Sequence, residues 1–375
     1  DRRGLTPLQK CRLVLIEARV LARHGFMDRA LEAADGARSM AAASGFGWMV
    51  ESCDAFIVSC LWKTGRLREA EEGCRTLVRV AARSGNLKAL AYALNTRGGI
   101  ASSSYDYIEA ARCYGAVGRL AEVTGNRKLA GTAVANLGVA MMMRGEYGEA
   151  LEIFMKAARM VSKAGDPIRL AAIYGNMARI FLDLDRVENA EDCVTTMNDL
   201  AARTGIARLI ESSLFLRARV LDLRGRLEEA VALLDRASDM AAGRGGVLSL
   251  SLYTLCRGLF LMFGGRTGEA LKDLEEASRR GMEAGQLPNA ALAEVCAAAC
   301  RAVTGAGSPE AVLEAAGDSP WRSVRGTAEY WYWKLTGDTA AAGRAMELLK
   351  PAPGESNAYR AVRMMGEMRD AAAGS

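Results

Sequence analysis

Arg179 and Arg219 stand 40 residues apart, and so do Asn136 and Asn176. A guanidinium offers a planar fork of donors and a carboxamide both donates and accepts. Such groups on successive rungs of one wall suit a carboxylate, an acidic peptide or backbone amides. The alternative is self-neutralisation. Asp183 follows Arg179 by one helical turn, as Asp222 follows Arg219, and pairs at that spacing contribute little on a surface. The choice between the two rests on the elements that carry these residues.

Other chemistry is sparse. His24 is the only histidine, so a multi-histidine metal site is excluded and Ser-His-Asp or Cys-His catalysis would depend on that residue alone. It precedes Gly25 at the end of an apolar-periodic segment, where a cation or donor suits the exposed helix carbonyls. The nine cysteines are an odd number without a C-x-x-C, a pattern of free thiols in a reducing cytoplasm. Cys296 and Cys300 lie one turn apart, yet two thiols alone make a poor metal site and core packing accounts for them. No G-x-x-x-x-G-K-[ST], H-E-x-x-H, G-x-S-x-G or EF-hand loop occurs. Gly243-Arg244-Gly245-Gly246 resembles a phosphate loop but follows no strand, so it reads as a loosened turn. Three consecutive methionines, Met141 to Met143, point in different directions on a helix and share no single groove. The chain is therefore expected not to be an enzyme and to use no cofactor and no metal.

The 375 residues are 50% hydrophobic and 25% charged, ample for a large core, with 6% aromatic residues and many strong helix formers. Net charge is +5, from 40 Arg and 9 Lys against 44 acids, and it is dispersed, which argues against direct nucleic-acid binding. No run of about 18 apolar residues is present and no signal-peptide core follows Asp1-Arg2-Arg3, so a cytoplasmic chain without a membrane segment is expected. A first residue other than Met is read as a fragment of a longer protein.

The positioning elements come from self-similarity. Ala30, Ala70, Ala110, Ala150, Ala190, Ala230 and Ala270 fall on one 40-residue column. Five positions upstream stand Gly25, Gly65, Gly145, Gly225 and Gly265, with Tyr105 and Asp185 in the two remaining copies. A second glycine column runs from Gly45 through Gly85, Gly125, Gly165, Gly205 and Gly245 to Gly285. The columns halve each unit, and each half holds a helix of about 16 residues closed by a left-handed residue. The alanine lets the second helix approach the first, and acids just before it, as in Glu149-Ala150, suit a helix N-terminus.

Asn136-Leu137-Gly138, Gly145-Glu146-Tyr147-Gly148-Glu149-Ala150-Leu151, Phe154 and Ala157 resemble the tetratricopeptide repeat, with weaker copies at Gly65 to Leu77, Gly225 to Ala237 and Gly265 to Ala277. The 40-residue period is longer than that family's usual one and is similar to the helical-repeat domain of large bacterial ATPase-type transcription regulators. The resemblance implies an all-α, right-handed superhelical solenoid of antiparallel helix pairs, about eight to nine repeats with a C-terminal capping helix. It also implies that first helices line a concave groove. Carried over by offset from the turn, the groove positions are Tyr92, Asn95, Asn136, Asn176, Arg179, Phe215, Arg219 and Asp222, with Thr96 and Asp183 beside them.

The phase weakens after Gly285. Regular repeats are expected over 1–286, degenerate ones over 287–350 and a capping helix with tail over 351–375. Pro351-Ala352-Pro353-Gly354 ends the last hairpin and Asn357 to Ala371 forms the cap. The aromatics Trp321, Tyr330, Trp331 and Trp333 read as packing around this end rather than a ligand platform. Leu252, Leu255, Leu259, Met262 and Phe263 form an apolar groove segment that a partner, a ligand or the folded-over terminus must cover. The function implied is a non-catalytic interaction module that binds a protein or peptide segment. The alternative is a small-effector sensor domain of a multidomain bacterial regulator. Oligomeric state is not legible.

Overall fold

A backbone with φ between 62° and 81°, or 54° at Asp185, recurs every twenty residues from position 45 to 305 and sets the architecture. At Gly65 the N–H bonds back to the Trp62 carbonyl at 3.1 Å and the Arg66 N–H to the Leu61 carbonyl at 2.9 Å, the paired bonds that close a helix through a left-handed residue. The computed structural model describes residues 4–24, 26–350 and 360–374, so Gly25 and the Pro351 to Gly354 segment lie outside the described residues.

Between these turns run helices mostly of 17 residues, about 25 Å long. They are α1 (Pro7–Arg23), α2 (Met27–Ala43), α3 (Gly47–Lys63), α4 (Leu67–Ser84), α5 (Leu87–Ser103), α6 (Tyr107–Val123), α7 (Arg127–Met143) and α8 (Tyr147–Lys163). There follow α9 (Pro167–Asp183), α10 (Val187–Thr204), α11 (Ala207–Leu223), α12 (Leu227–Ala242), α13 (Val247–Phe263), α14 (Thr267–Glu283) and α15 (Leu287–Val303). The chain ends with α16 (Glu310–Ala316), α17 (Arg322–Thr336), α18 (Thr339–Leu348) and α19 (Ala361–Gly374). Among the described residues all regular structure is helical, and no helix is long and apolar enough to cross a membrane. The architecture is an all-α helical-repeat solenoid.

The helix starts follow from local sequence. Asn86, Asp106 and Asp166 accept from the backbone N–H three residues on, at 3.0 to 3.1 Å, satisfying donors that a helix N-terminus leaves open. Arg66, Arg226 and Arg266 occupy the same position without a side-chain cap and instead grip Glu69, Glu229 and Glu269 at 2.5 to 2.7 Å. These pairs are exposed, so they steer the chain entry more than they stabilise it.

The core lies between first and second helices. All seven alanines of the 40-residue column have 0% exposure, which fixes the close approach that a small side chain permits. The first helix contributes small residues in turn. A Cβ on Gly258 would sit 2.8 Å from Leu274 Cγ, so α13 and α14 meet at a distance only glycine allows there. The chain divides into two compact units, one of Asp1–Met141 with Met155–Ala164 and the other of Met142–Phe154 with Gly165–Ser375. In the second, Gly317 (φ 45°) stops α16 after seven residues, and α17 and α18 form a shorter hairpin before α19.

Candidate functional site

In the first unit the expected groove residues sit on α5 and α7, brought side by side by Ala91, Leu129, Ala130 and Ala133 of one buried cluster. Asn136 Nδ2 donates to Asn95 Oδ1 at 3.4 Å, so the structure unites these two carboxamides. Tyr92 is exposed beside them. Thr96 is buried and donates to the Tyr92 carbonyl at 3.1 Å, a bond within its own helix that withdraws it from solvent.

In the second unit α9 carries Asn176, Arg179 and Asp183, and α11 carries Phe215, Arg219 and Asp222. The pairing differs from the one-turn pairs considered from sequence. Arg219 Nη2 reaches across to Asp183 Oδ1 at 3.1 Å, and Tyr147 Oη donates to Asp183 Oδ2 at 3.4 Å. Asp222, one turn after Arg219, is instead 4% exposed and held by Arg360. Burial raises the Asp183 carboxyl against the opposing pull of Arg219, Tyr147 and Arg179. Burial likewise raises the Tyr147 hydroxyl, with the Asp183 charge adding to it.

Arg179 is exposed, and among the described residues no carboxylate lies within ion-pair distance of it. Desolvation by the surrounding walls, then the charge of Arg219, lower its guanidinium, which stays cationic at any physiological pH. Asn176, three residues earlier, is half-buried on the same helix. Phe215 does not face solvent: it is buried with its ring 5.1 Å from Tyr253. Tyr253 Oη donates at 2.8 Å to the buried Glu211, which also meets Arg244. Sequence reasoning missed Glu211, Tyr253 and Tyr147. The signal for Glu211 was an acid, shared with Glu51, in a 40-residue column whose other members, Ala91, Gly131, Ala171, Ser251 and Ala291 among them, are small.

The apolar segment on α13 is buried in the core of the C-terminal unit, and the residue leading into α19 meets its Phe263 end. Leu255, Leu259 and Met262 are 3 to 5% exposed in one cluster with Ala361, Met364 and Met368 of α19. Arg360 bonds Asp222 at 2.6 Å and lies 4.7 Å over the Phe263 ring. Arg363 bonds Asp185 at 2.9 Å and donates to the Leu223 carbonyl at 3.0 Å, while Glu367 accepts from Tyr330 at 2.9 Å and Lys334 at 2.6 Å. Tyr330, Trp331 and Trp333 pack ring against ring at 5.5 to 5.8 Å within this core. His24 caps α1 and is exposed, Cys296 and Cys300 are buried, and Arg244 lies in the turn before α13. Among the described residues no group of three or more His, Cys, Asp or Glu is placed to hold a metal ion.

No protein-family model matches the sequence, and no match among curated proteins reaches significance. The fold has clear likenesses. A Rap protein complexed with Competence and Sporulation Factor superposes with TM-score 0.64 at 12% identity, over 97% of this chain and 99% of that one. The quorum sensor NprR from B. thuringiensis, in its apo form, gives 0.64 at 14% identity, over 84% and 90%. Aspartyl phosphate phosphatase F from Bacillus subtilis gives 0.60 at 12%, over 93% and 96%. At these identities the likeness is one of fold, and by fold the chain is an all-α helical-repeat solenoid like these.

Proposed function

We propose that the chain is a non-catalytic interaction module that binds a protein or peptide segment along the wall formed by its first helices. In the C-terminal unit Arg179 anchors an acidic side chain or terminal carboxylate, and Asn176 pairs with the adjoining backbone amide. In the N-terminal unit Tyr92, Asn95 and Asn136 supply a stacking surface and carboxamides for a peptide backbone. One observation carries this reading: Arg179 is an exposed guanidinium with no ion-pair partner among the described residues, while its neighbours Arg219 and Asp183 already satisfy each other. Phe215, Arg219 and Asp222 then serve as the support of the site. The similar Rap structure is complexed with Competence and Sporulation Factor, and NprR is a quorum sensor, which supports a role in binding a partner factor for this fold.

The residues present suit binding better than catalysis. The sole histidine ends α1, and the nine thiols are buried and unpaired, in keeping with a reducing cytoplasm. A small-effector role has one supporting feature, a cavity of about 210 Å³ lined by Glu191, Thr195 and Asn198 of α10 and Arg217 of α11.

The test selects peptides from a displayed random library on the full chain and measures the affinity of the winners by fluorescence anisotropy. Arg179→Ala and Asn176→Ala are each expected to weaken binding about tenfold with little change in melting temperature. Unchanged affinity in both variants would overturn the site.

A further inference from the structure

Asp185 and Asp222 are acids in costly places. Asp185 holds φ at 54° in a turn position that glycine fills in most other repeats, a conformation disfavoured for any residue with a side chain. Asp222 is 4% exposed on α11. A carboxylate persists at such positions when a cation meets it, and both cations come from one distant stretch, Arg360 just before α19 and Arg363 in its first turn. Arg360 reaches Asp222 from 138 residues further along the chain, and Arg363 reaches Asp185 from 178 residues further. Arg363 also bonds the Leu223 carbonyl, one of the acceptors that the C-terminal end of α11 leaves open.

The apolar half of the contact has the same character. Ala361, Met364 and Met368 lie at i, i+3 and i+7 on one stripe of α19 and are 2 to 3% exposed, whereas Glu367 beside them is exposed and Arg369 to Ala373, the end of the helix, face solvent. This is how an amphipathic helix seats in a groove, with methionines as the adaptable anchors and arginines at its leading end.

We propose that this surface of the C-terminal unit, built from Asp185, Asp222, the Leu223 carbonyl, the Phe263 ring and the apolar core that holds Met364 and Met368, is a receptor for an arginine-bearing amphipathic helix. Its resident occupant is α19. The partner is a helix of another protein preceded by an arginine, with a second arginine in its first turn three residues on and methionine or a similar flexible apolar residue four and eight residues after the first arginine, and it binds by displacing α19. The chemistry is opposite in sign to that at Arg179, so the proposal stands independently of the peptide reading above.

The probe is a fluorescein-labelled peptide of residues 360–374, added to the full chain. Wild type is expected to bind it weakly, because the tethered copy competes at high effective concentration. Arg360→Glu with Arg363→Glu in the chain repels the tethered copy and is expected to raise probe affinity at least about tenfold. Adding Asp185→Asn and Asp222→Asn is expected to abolish that gain. If the charge-reversed chain keeps its helical circular dichroism and cooperative melting yet binds the probe no better than wild type, the proposal falls. If that variant does not fold, hydrogen exchange on wild type decides. Amides of α19 should exchange at least about tenfold faster than those of α17 and faster still with excess unlabelled peptide. Equal protection of α19 and α17, unchanged by peptide, makes α19 a fixed structural helix and overturns it.

Discussion

Asp183 and Arg219 face each other across neighbouring first helices, Oδ1 to Nη2 at 3.1 Å, 36 residues apart in sequence and with side chains 22% and 14% exposed. The pair ties α9 to α11, while Arg179 on α9 has no ion-pair partner among the described residues. In the proposed binding reading Arg219 therefore supports the wall and Arg179 meets the ligand.

The same pair gives a pH dependence. Burial raises the Asp183 carboxyl above its usual value of 3.8, so the folded chain holds this proton to a higher pH than the unfolded chain does. The stability this proton contributes is complete below about pH 3.8 and is lost as the pH rises through the raised value. In urea unfolding at a series of pH values, wild type should lose stability relative to Asp183→Asn across that window and run parallel above it. A wild type that instead gains stability relative to Asp183→Asn as the pH rises would show that the Arg219 charge outweighs burial.

Two turn residues predict opposite outcomes for the same substitution. Tyr105 holds φ at 62° with 72% exposure, touching only the Tyr107 ring edge at 6.3 Å among rings. A side chain in the left-handed region costs about 1–2 kcal/mol, and glycine's extra freedom in the unfolded chain returns about 0.4–1. Tyr105→Gly should stabilise the chain by about 0.5–1 kcal/mol in urea titration. Asp185→Gly relieves the same strain but strips Arg363 of its carboxylate, so no gain is expected and hydrogen exchange in α19 should quicken. Equal stabilisation by both would mean that the Asp185 carboxylate does nothing.

These turns also show why some of the molecule is legible in sequence and some is not. The glycine and alanine columns are visible because a left-handed turn and a close helix crossing each demand one residue type, and Ala150 and Ala230 sit at 0% exposure as that demand requires. Departures from a column are legible too, as Asp185 and Glu211 show. The partner of each departure is not. Arg219 reaches Asp183 because a long side chain spans to the next helix, and no within-helix spacing rule contains that distance. Contacts of α19 with Asp185 and Asp222 leave no periodic trace, because α19 occurs once.

Thiol chemistry offers a check on the core. All nine cysteines are free and buried, and burial pushes Cys74, Cys113 and Cys256 up to about 12 and Cys53 and Cys193 to about 11. Thiolate, the reactive form, is scarce in such groups. A chromogenic disulfide reagent at pH 8 should leave the native chain almost unreacted and titrate nine thiols in guanidinium. Rapid reaction of several thiols without denaturant would mean that the repeats open far more readily than their packing allows.

Glu211 tests how a polar intruder survives in a small-residue column. It is 1% exposed, accepts from Tyr253 Oη at 2.8 Å and meets Arg244, so its charge is compensated on both sides. Glu211→Ala restores the residue type of Ala91 and Ala171 but takes from the buried Tyr253 hydroxyl and from Arg244 their carboxylate, at a cost of about 1–3 kcal/mol. Tyr253→Phe alone leaves the carboxylate short of a donor and should cost about 1–1.5 kcal/mol. The double variant removes both polar groups, and its loss in urea unfolding should fall below the sum of the single losses by about 1 kcal/mol or more. Strict additivity would show that the 2.8 Å bond carries no coupling and that Arg244 alone sustains the buried carboxylate.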